Sequence, residues 1–183
     1  PEEIHVTLLQ LGKDGEADPR LHGSIAVAQV RMPVTKVFLG REAVDGAIKM
    51  AYKYYNGKRK IILHSDISFH GKLLGSLSIS NYKESEFKFP KINFGIKYKF
   101  NDLNSLEKTV KKYKSKIFAI IVEPLSASTY KENSREFLKL AKKLSDEYKI
   151  KLIFDEIYTG FGKSGYKFHF NKREKKLIKI ISE

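Results

Sequence analysis

Two adjacent carboxylates, Asp155 and Glu156, follow the apolar run LIF in the stretch LIFDEIYTGFGKSG, residues 152–165. A carboxylate at the mouth of a buried strand needs a cationic or proton-donating partner, because burying an unpaired charge is costly. The protonated nitrogen of a pyridine cofactor is one such partner, and Mg²⁺ in a nucleotide-hydrolysing sheet is another. The magnesium interpretation requires a phosphate loop of the type GxxxxGK[ST], and GFGKSG lacks that spacing.

Polar residues also follow two other apolar runs. Glu123 comes after FAIIV, and Phe69-His70-Gly71 comes shortly after KIILHS. A single acid in such a place could simply cap a following helix or turn. Three polar strand ends together favour a ligand site, because ligands of open α/β sheets bind beyond the carboxyl ends of the strands. The ring of Phe69, next to a glycine, could lie flat on a planar heteroaromatic group.

The elements that position these residues alternate along the chain. Apolar spacing predicts helices over residues 43–55, 72–80, 103–113 and 134–149, and strands over residues 60–65, 116–123 and 151–156. Asn101 or Asn104 is the predicted N-cap of the third helix, and the segment around Pro90 is predicted to be a loop. Continuously apolar strands between helices predict an α/β fold, a three-layer, mostly parallel sheet with helices on both faces.

Composition changes near residue 36. Residues 1–36 contain no Phe, Tyr or Asn, and their four basic and five acidic residues sum to −1. The remaining residues, 37–183, carry 31 basic and 16 acidic residues, a net +15. Residues 4–9 and 24–32 are predicted strands in the first segment, to which we assign no function. Residues 37–183 form the second predicted domain, which carries all the candidate site residues.

The charge and residue content argue against a nucleic-acid partner, a metal site and a membrane span. The net charge of +14 would suit nucleic acid, but the lysines are interleaved with acids and apolar residues, so we expect solvated helix faces and no nucleic-acid partner. Cysteine is absent, and His64, His70 and His169 lack metal-ligand spacing, so we expect no metal site. No apolar run is long enough for a membrane span, and the expected location is the cytoplasm.

The chain over roughly residues 37–182 resembles the class III (ornithine/acetylornithine-type) pyridoxal-phosphate-dependent aminotransferases of fold type I. Four motifs carry the resemblance in order: LGREAVDGAIKMAYKYY, SFHGKLLGSLSIS, FAIIVEP and LIFDEIYTGFGKSGYKF. The family typically shows a SGSEA-type turn that opens a helix, then SFHGRTLG, IVEP and LIFDEVQTGFGRTG. The resemblance implies that residues 37–183 are part of the large, cofactor-binding domain of such an enzyme.

The resemblance also implies pyridoxal 5′-phosphate as the cofactor. Asp155 would pair with its pyridinium nitrogen, while Phe69 and Ile157 would contact the two ring faces. Gly40 and Arg41 would hold the phosphate at a helix N-terminus. The implied cofactor-binding residues are Gly40, Arg41, Phe69, His70, Asp155, Ile157 and Tyr158, and the implied supporting residues are Glu42, Glu123 and Glu156.

The sequence departs from the family pattern in four places. Leu39 and Arg41 flank Gly40 where the family has small hydroxyl residues, and LSASTY follows IVEP where many members have QGEGG. Tyr158 replaces a glutamine that commonly contacts the phenolic oxygen of the cofactor. No lysine stands where the family carries its cofactor-linked lysine, since Glu183 falls at or just before that position. Lys176 and Lys179 are out of register.

The implied reaction moves an amino group between an amine or amino acid and an oxo acid or aldehyde, and the implied assembly is a homodimer. Because the lysine is not found, we expect a fragment or degenerate relative that is inactive as an isolated chain. The alternative is a non-catalytic scaffold of the same fold with a basic interaction surface. Neither interpretation identifies the amino donor or acceptor.

Overall fold

The computed structural model describes residues 4–9, 25–29, 38–81 and 89–160. Its strands are β1 Ile4–Leu9, β2 Ile25–Gln29, β3 Phe38–Leu39, β4 Ile61–Ser65, β5 Gly95–Tyr98, β6 Ile117–Val122 and β7 Lys151–Asp155. Its helices are α1 Gly40–Tyr54, α2 Leu74–Ser78, α3 Leu103–Tyr113 and α4 Arg135–Glu147. Among the described residues, no helix is both long and apolar enough to cross a membrane.

The described strands form one sheet in the order β3-β2-β1-β7-β6-β4-β5. Five neighbouring strands, β1, β7, β6, β4 and β5, run parallel to one another. β2 is antiparallel to both of its neighbours, β1 and β3. Residues of β6 and β7 are paired directly, with Val122 opposite Phe154. The carboxyl ends of β4, β6 and β7 therefore reach the same edge of the sheet.

Helices cover both faces of this sheet. On one face, α1 packs Ala43, Ala47 and Ala51 against strand residues such as Ile121 and Ile153. On the other face, Leu106 of α3 and Phe137 of α4 share a core with alternate residues of the same strands, including Ile120 and Leu152. Since β6 and β7 are buried along their whole length, they carry apolar residues on both faces, as parallel strands require. The prediction of a three-layer α/β fold is confirmed.

The prediction for the cap of α3 was wrong. The N-cap is Asp102, whose Oδ1 accepts a hydrogen bond of 2.8 Å from the backbone N–H of Ser105. Asn101 instead takes a left-handed conformation and accepts hydrogen bonds from the N–H and hydroxyl of Ser134, the N-cap of α4. Asn104 lies inside the first turn and is exposed.

The structure also contains strands that the pattern did not predict. β5 follows the segment around Pro90 and pairs with β4 at the edge of the sheet, and β3 consists of two residues. Both predicted strands before residue 36 are present, as β1 and β2. The two-part division at residue 36 stays a prediction.

Candidate functional site

The predicted strand-end residues surround the carboxyl end of β7. Asp155 is the last residue of β7 and Glu123 directly follows β6. The turn that contains Phe69 and His70 follows β4. Asp155, Glu123 and His70 are all buried, so three ionisable side chains share one enclosed region.

A direct side-chain contact joins Asp155 to His70. Nδ1 of His70 donates to Oδ2 of Asp155 at 2.7 Å, across 85 residues of sequence. The other carboxylate oxygen of Asp155 accepts the backbone N–H of Ile157 at 3.2 Å. The carboxylate is thus held from two sides, and its partner in this structure is an imidazole that the sequence pattern had not paired with it.

The electrostatics of His70 depend on its acidic neighbours. Burial disfavours the imidazolium form, but the hydrogen bond to Asp155 and the charges of Glu123 and Asp155 outweigh it, so the pKa of His70 is raised. Nε2 of His70 is buried and has no hydrogen-bond partner among the described residues. A well-anchored histidine therefore presents one buried ring nitrogen that no described residue hydrogen-bonds.

Glu123 ties two loops together. Its Oε2 accepts the backbone N–H of Phe69 at 2.9 Å, and its Oε1 accepts the backbone N–H of Ala127 at 3.1 Å. Burial raises the pKa of Glu123, a shift that the charge of His70 opposes. The side chain therefore fixes the turn after β4 relative to the loop after β6.

Glu156 closes the turn after β7. Its side chain accepts a hydrogen bond from the hydroxyl of Thr159, and its carbonyl accepts the N–H of Gly160 at 2.7 Å. Glu156 is completely buried. It holds the backbone that follows Asp155, and the supporting role expected for it stays a prediction.

Serine 80 is a site residue that the sequence analysis missed. Its hydroxyl oxygen accepts the N–H of His70 at 2.8 Å and itself donates to the carbonyl oxygen of Ser76 at 2.7 Å. Gly71 follows His70 with a φ of 126°, a backbone conformation that residues other than glycine rarely adopt. The only signal in the sequence was the run of serines in SLSIS, which indicates no particular pairing.

The remaining predicted residues lie around this centre or at the start of α1. Phe69 and Ile157 are half-buried, and Tyr158 is exposed. Gly40 and Arg41 form the first turn of α1, and Glu42 follows them as an exposed residue. The structure thus brings Phe69, His70, Glu123, Asp155 and Ile157 together. The segment in which the lysine was sought, including Glu183, lies outside the described residues.

A family comparison identifies this arrangement. The sequence model of the family "Aminotransferase class-III" matches residues 24–176. The chain belongs to the class III aminotransferases. This is a family of pyridoxal-phosphate-dependent enzymes, and its match to this chain begins before residue 36, within the first segment.

Individual relatives agree with this assignment. Acetylornithine aminotransferase of Clostridium acetobutylicum is 36% identical over 148 residues, which cover 76% of this chain and 38% of that protein. Adenosylmethionine-8-amino-7-oxononanoate aminotransferase of Buchnera aphidicola is 34% identical over 158 residues, or 75% of this chain and 37% of that protein. The chain therefore spans little more than a third of these relatives.

Solved structures show the same fold. The crystal structure of adenosylmethionine-8-amino-7-oxononanoate aminotransferase from Methanocaldococcus jannaschii superposes with a TM-score of 0.63 at 27% identity. The match covers 70% of this chain and 32% of that one. The fold is that of the fold-type-I aminotransferases, and this chain matches part of it.

The residues present suit the cofactor of this family. A buried carboxylate, Asp155, is available for a ring nitrogen, and it has lone pairs beyond the two that His70 and Ile157 occupy. Nε2 of His70, which no residue of the described ranges hydrogen-bonds, is a further polar atom in the same enclosed region. The N-terminus of α1, a helix of 15 residues, begins at Gly40 and is suited to a phosphate.

Proposed function

We propose that this chain forms the ring-binding part of a pyridoxal 5′-phosphate-dependent aminotransferase. The observation that carries the proposal is the buried pair of Asp155 and His70 at the end of β7. When bound, the cofactor supplies an electron sink for the carbon that bears the amino group. The overall reaction would move an amino group between an amine or amino acid and an oxo acid or aldehyde.

Each residue of the site has a proposed task. Asp155 holds the proton of the ring nitrogen, and His70 orients Asp155 by donating its Nδ1 proton to the carboxylate. Phe69 and Ile157 cover the two faces of the ring, while Glu123 and Glu156 fix the loops that carry them. Gly40 and Arg41 bind the phosphate at the start of α1, next to Glu42.

The proposed substrates are a small amino donor and an oxo acceptor, in the cytoplasm. The two relatives described above are named for different reactions, so their names support the reaction class and no single substrate. A homodimer is also proposed. Leu74 and Ile92, which are 48% and 45% exposed, offer apolar surface for it. Nucleic acid and membranes are not proposed as partners.

Binding of pyridoxamine 5′-phosphate, measured by isothermal titration calorimetry, tests the proposal. This probe lacks the aldehyde of pyridoxal phosphate, so it does not react with the surface lysines of a chain that has 35 Lys and Arg residues. We expect the wild type to bind it and Asp155→Asn to lose about tenfold or more in affinity, because the charge that pairs with the ring nitrogen is removed.

Asp146→Asn is the matched control. It removes the same charge from a partly exposed side chain on α4 that pairs with Lys142. We expect this variant to bind the probe like the wild type. Equal affinities of the wild type and Asp155→Asn, or no binding by the wild type, would contradict the proposed site.

A further inference from the structure

Two tyrosine rings lie open beside the site. Tyr130 belongs to the loop after β6 and Tyr158 to the turn after β7, so neighbouring parallel strands deliver both to the edge of the sheet that carries Asp155. Their ring centroids are 5.9 Å apart and the ring planes are tilted by 56°. Tyr130 is 70% exposed and Tyr158 is 40% exposed. Their rings form a continuous aromatic surface that the described part of the chain leaves open.

The backbone under Tyr130 is tightly hydrogen-bonded. The N–H of Tyr130 donates to the carbonyl of Ser126 at 2.8 Å, and the N–H of Ser126 donates to the carbonyl of Lys131 at 2.9 Å. In the same loop, Ala127 donates to the carboxylate of Glu123. The loop is therefore attached to a buried site residue, and the backbone at Tyr130 is held relative to the site.

A second hydrogen bond connects this loop to the turn after β4. The hydroxyl of Ser128 donates to the carbonyl of Ile67 at 2.9 Å, two residues before Phe69. The loop that carries Tyr130 is thus connected to the turn that carries Phe69 and His70. An aromatic side chain on a preorganised loop binds with little loss of conformational entropy.

Tyr130 also occupies an unfavourable backbone conformation. Its φ is 55°, in the left-handed region that glycine adopts freely and bulky residues rarely adopt. Such a conformation persists where the surrounding structure imposes it, and it is concentrated at functional sites. Tyr130 keeps this conformation while its ring stays open to solvent.

We propose that Tyr130 and Tyr158 form the surface that recognises the substrate side chain, and that they select amino substrates with an aromatic or extended apolar group. This inference rests on the proposed function. The ring pair offers both faces and edges to a third apolar group, an arrangement that aromatic rings favour. Because both tyrosines stand beyond the strand ends, the substrate chain would lie between the ring-binding residues and solvent.

Stable conjugates of the cofactor test this inference. The probes are pyridoxamine 5′-phosphate and the N-(5′-phosphopyridoxyl) conjugates of phenylalanine and alanine, which need no covalent link to the protein. We expect the wild type to bind the phenylalanine conjugate more tightly than the alanine conjugate. In Tyr130→Ala this preference should fall by about three- to tenfold, the effect of losing one aromatic contact. Tyr130→Phe should keep it, since the ring remains.

The pyridoxamine 5′-phosphate measurement separates the two possible failures. We expect Tyr130→Ala to bind this probe like the wild type. If it does, and if the preference for the phenylalanine conjugate is unchanged or absent from the wild type, the inference is wrong and the proposed function stands. If the wild type binds none of the three probes, the proposed function fails and the inference fails with it. Tyr130→Gly, which accepts the positive φ, provides a second ring-free variant if the alanine variant folds poorly.

Discussion

The buried histidines His64, in β4, and His70, in the turn after it, have pKa values shifted in opposite directions because their neighbours differ. His70 donates to Asp155 and lies close to Glu123, and these acids raise its pKa in spite of burial. No acidic side chain among the described residues contributes to the pKa shift of His64. Its Nδ1 lies 3.1 Å from the carbonyl oxygen of Ser65, and burial, together with the positive charges of His70, Lys97 and Lys91, lowers its pKa to about 3. Of these two histidines, His70 is the one that contacts the buried carboxylate of Asp155.

His64 should make the protein sensitive to acid. Its folded-state pKa lies below the ordinary 6.5, so the unfolded chain binds the proton more readily. Stability that is present above about pH 6.5 should fall as pH falls towards 3, by up to about 1.4 kcal/mol per pH unit. His64→Gln should show a shallower loss. Urea unfolding of both proteins between about pH 7 and pH 4 measures the difference, and equal slopes would refute the assignment.

Breaking the buried pair should cost far more than breaking an exposed one. We expect His70→Gln to lower the free energy of unfolding by about 3–5 kcal/mol, because Asp155 would keep a buried charge without its partner. Lys111→Gln removes a partner of Glu107 on the surface of α3 and should cost far less, because solvent screens this exposed pair. Urea unfolding near neutral pH compares the two, and equal losses would contradict the role given to the buried pair.

The pair of His70 and Asp155 should also make the stability of the fold decrease at alkaline pH. Because the folded-state pKa of His70 is raised, its contribution to stability is complete below about pH 6.5 and is lost as pH rises through the folded-state value. His70→Gln should lack this loss. Comparing the wild type with the variant above pH 6.5 isolates the histidine, since Tyr55, Tyr98 and Tyr148 are common to both.

Relief of the backbone strain at Tyr130 should stabilise the protein. We expect Tyr130→Gly to raise the free energy of unfolding by about 1 kcal/mol, because a residue with a Cβ in the left-handed region is disfavoured by about that amount. Tyr130→Ala removes the same ring but keeps the Cβ, so it should give no gain. Thermal unfolding of the two variants tests this, and a glycine variant no more stable than the alanine variant would show that the strain is negligible.

At the scale of elements, helix caps decide where α3 and α4 begin. Asp102 caps α3 through Ser105, and Ser134 caps α4 through Phe137. The sequence offered three polar candidates in the segment NDLN, and the pattern alone favoured the wrong ones. Asn101 serves the neighbouring helix, because its side chain accepts from Ser134. Its role depends on a tertiary contact, which local spacing does not contain.

The cap assignment predicts different effects for neighbouring substitutions. Asp102→Ala should cost about 1 kcal/mol, the usual loss when an N-cap is removed. Asn104→Ala should be neutral or slightly stabilising, since Asn104 is exposed in the first turn and alanine is the better helix former. Denaturant unfolding of the two variants gives the result directly. A larger loss for Asn104→Ala would restore the original prediction.

The predictable elements are those with long, regular patterns. The helix face of α4 and the continuous apolar run of β6 were identified within a few residues, because both are set by burial against the sheet. β5 was missed because GIKY is short, lies at the edge and is only half-buried over most of its length. The pairing of His70 with Asp155 could not be predicted from residue types, since it joins positions 85 residues apart.

For the whole molecule, the parallel sheet explains why distant motifs form one site. β4, β6 and β7 lie next to each other in the sheet and point the same way. Their apolar residues fill two separate cores, one against α1 and one against α3 and α4. The polar residues that follow each strand therefore lie at one edge of the sheet. This shared edge was predictable from the sequence, because parallel strands place their carboxyl ends on the same side.

The net charge of +14 predicts how the folded chain responds to salt. Exposed lysines such as Lys108, Lys112, Lys139 and Lys143 lie on α3 and α4, and a compact state with this excess repels itself. Salt shortens the range of that repulsion to about 8 Å at physiological ionic strength and less above it. We therefore expect the melting temperature to rise with sodium chloride, by about 2–4 °C for each kcal/mol gained in a chain of this size.

Differential scanning calorimetry at low and high salt tests this, with sodium fluoride as the control for specific chloride binding. A melting temperature that falls with both salts would mean that ion pairs such as those of Lys111 and Lys142 outweigh the net repulsion.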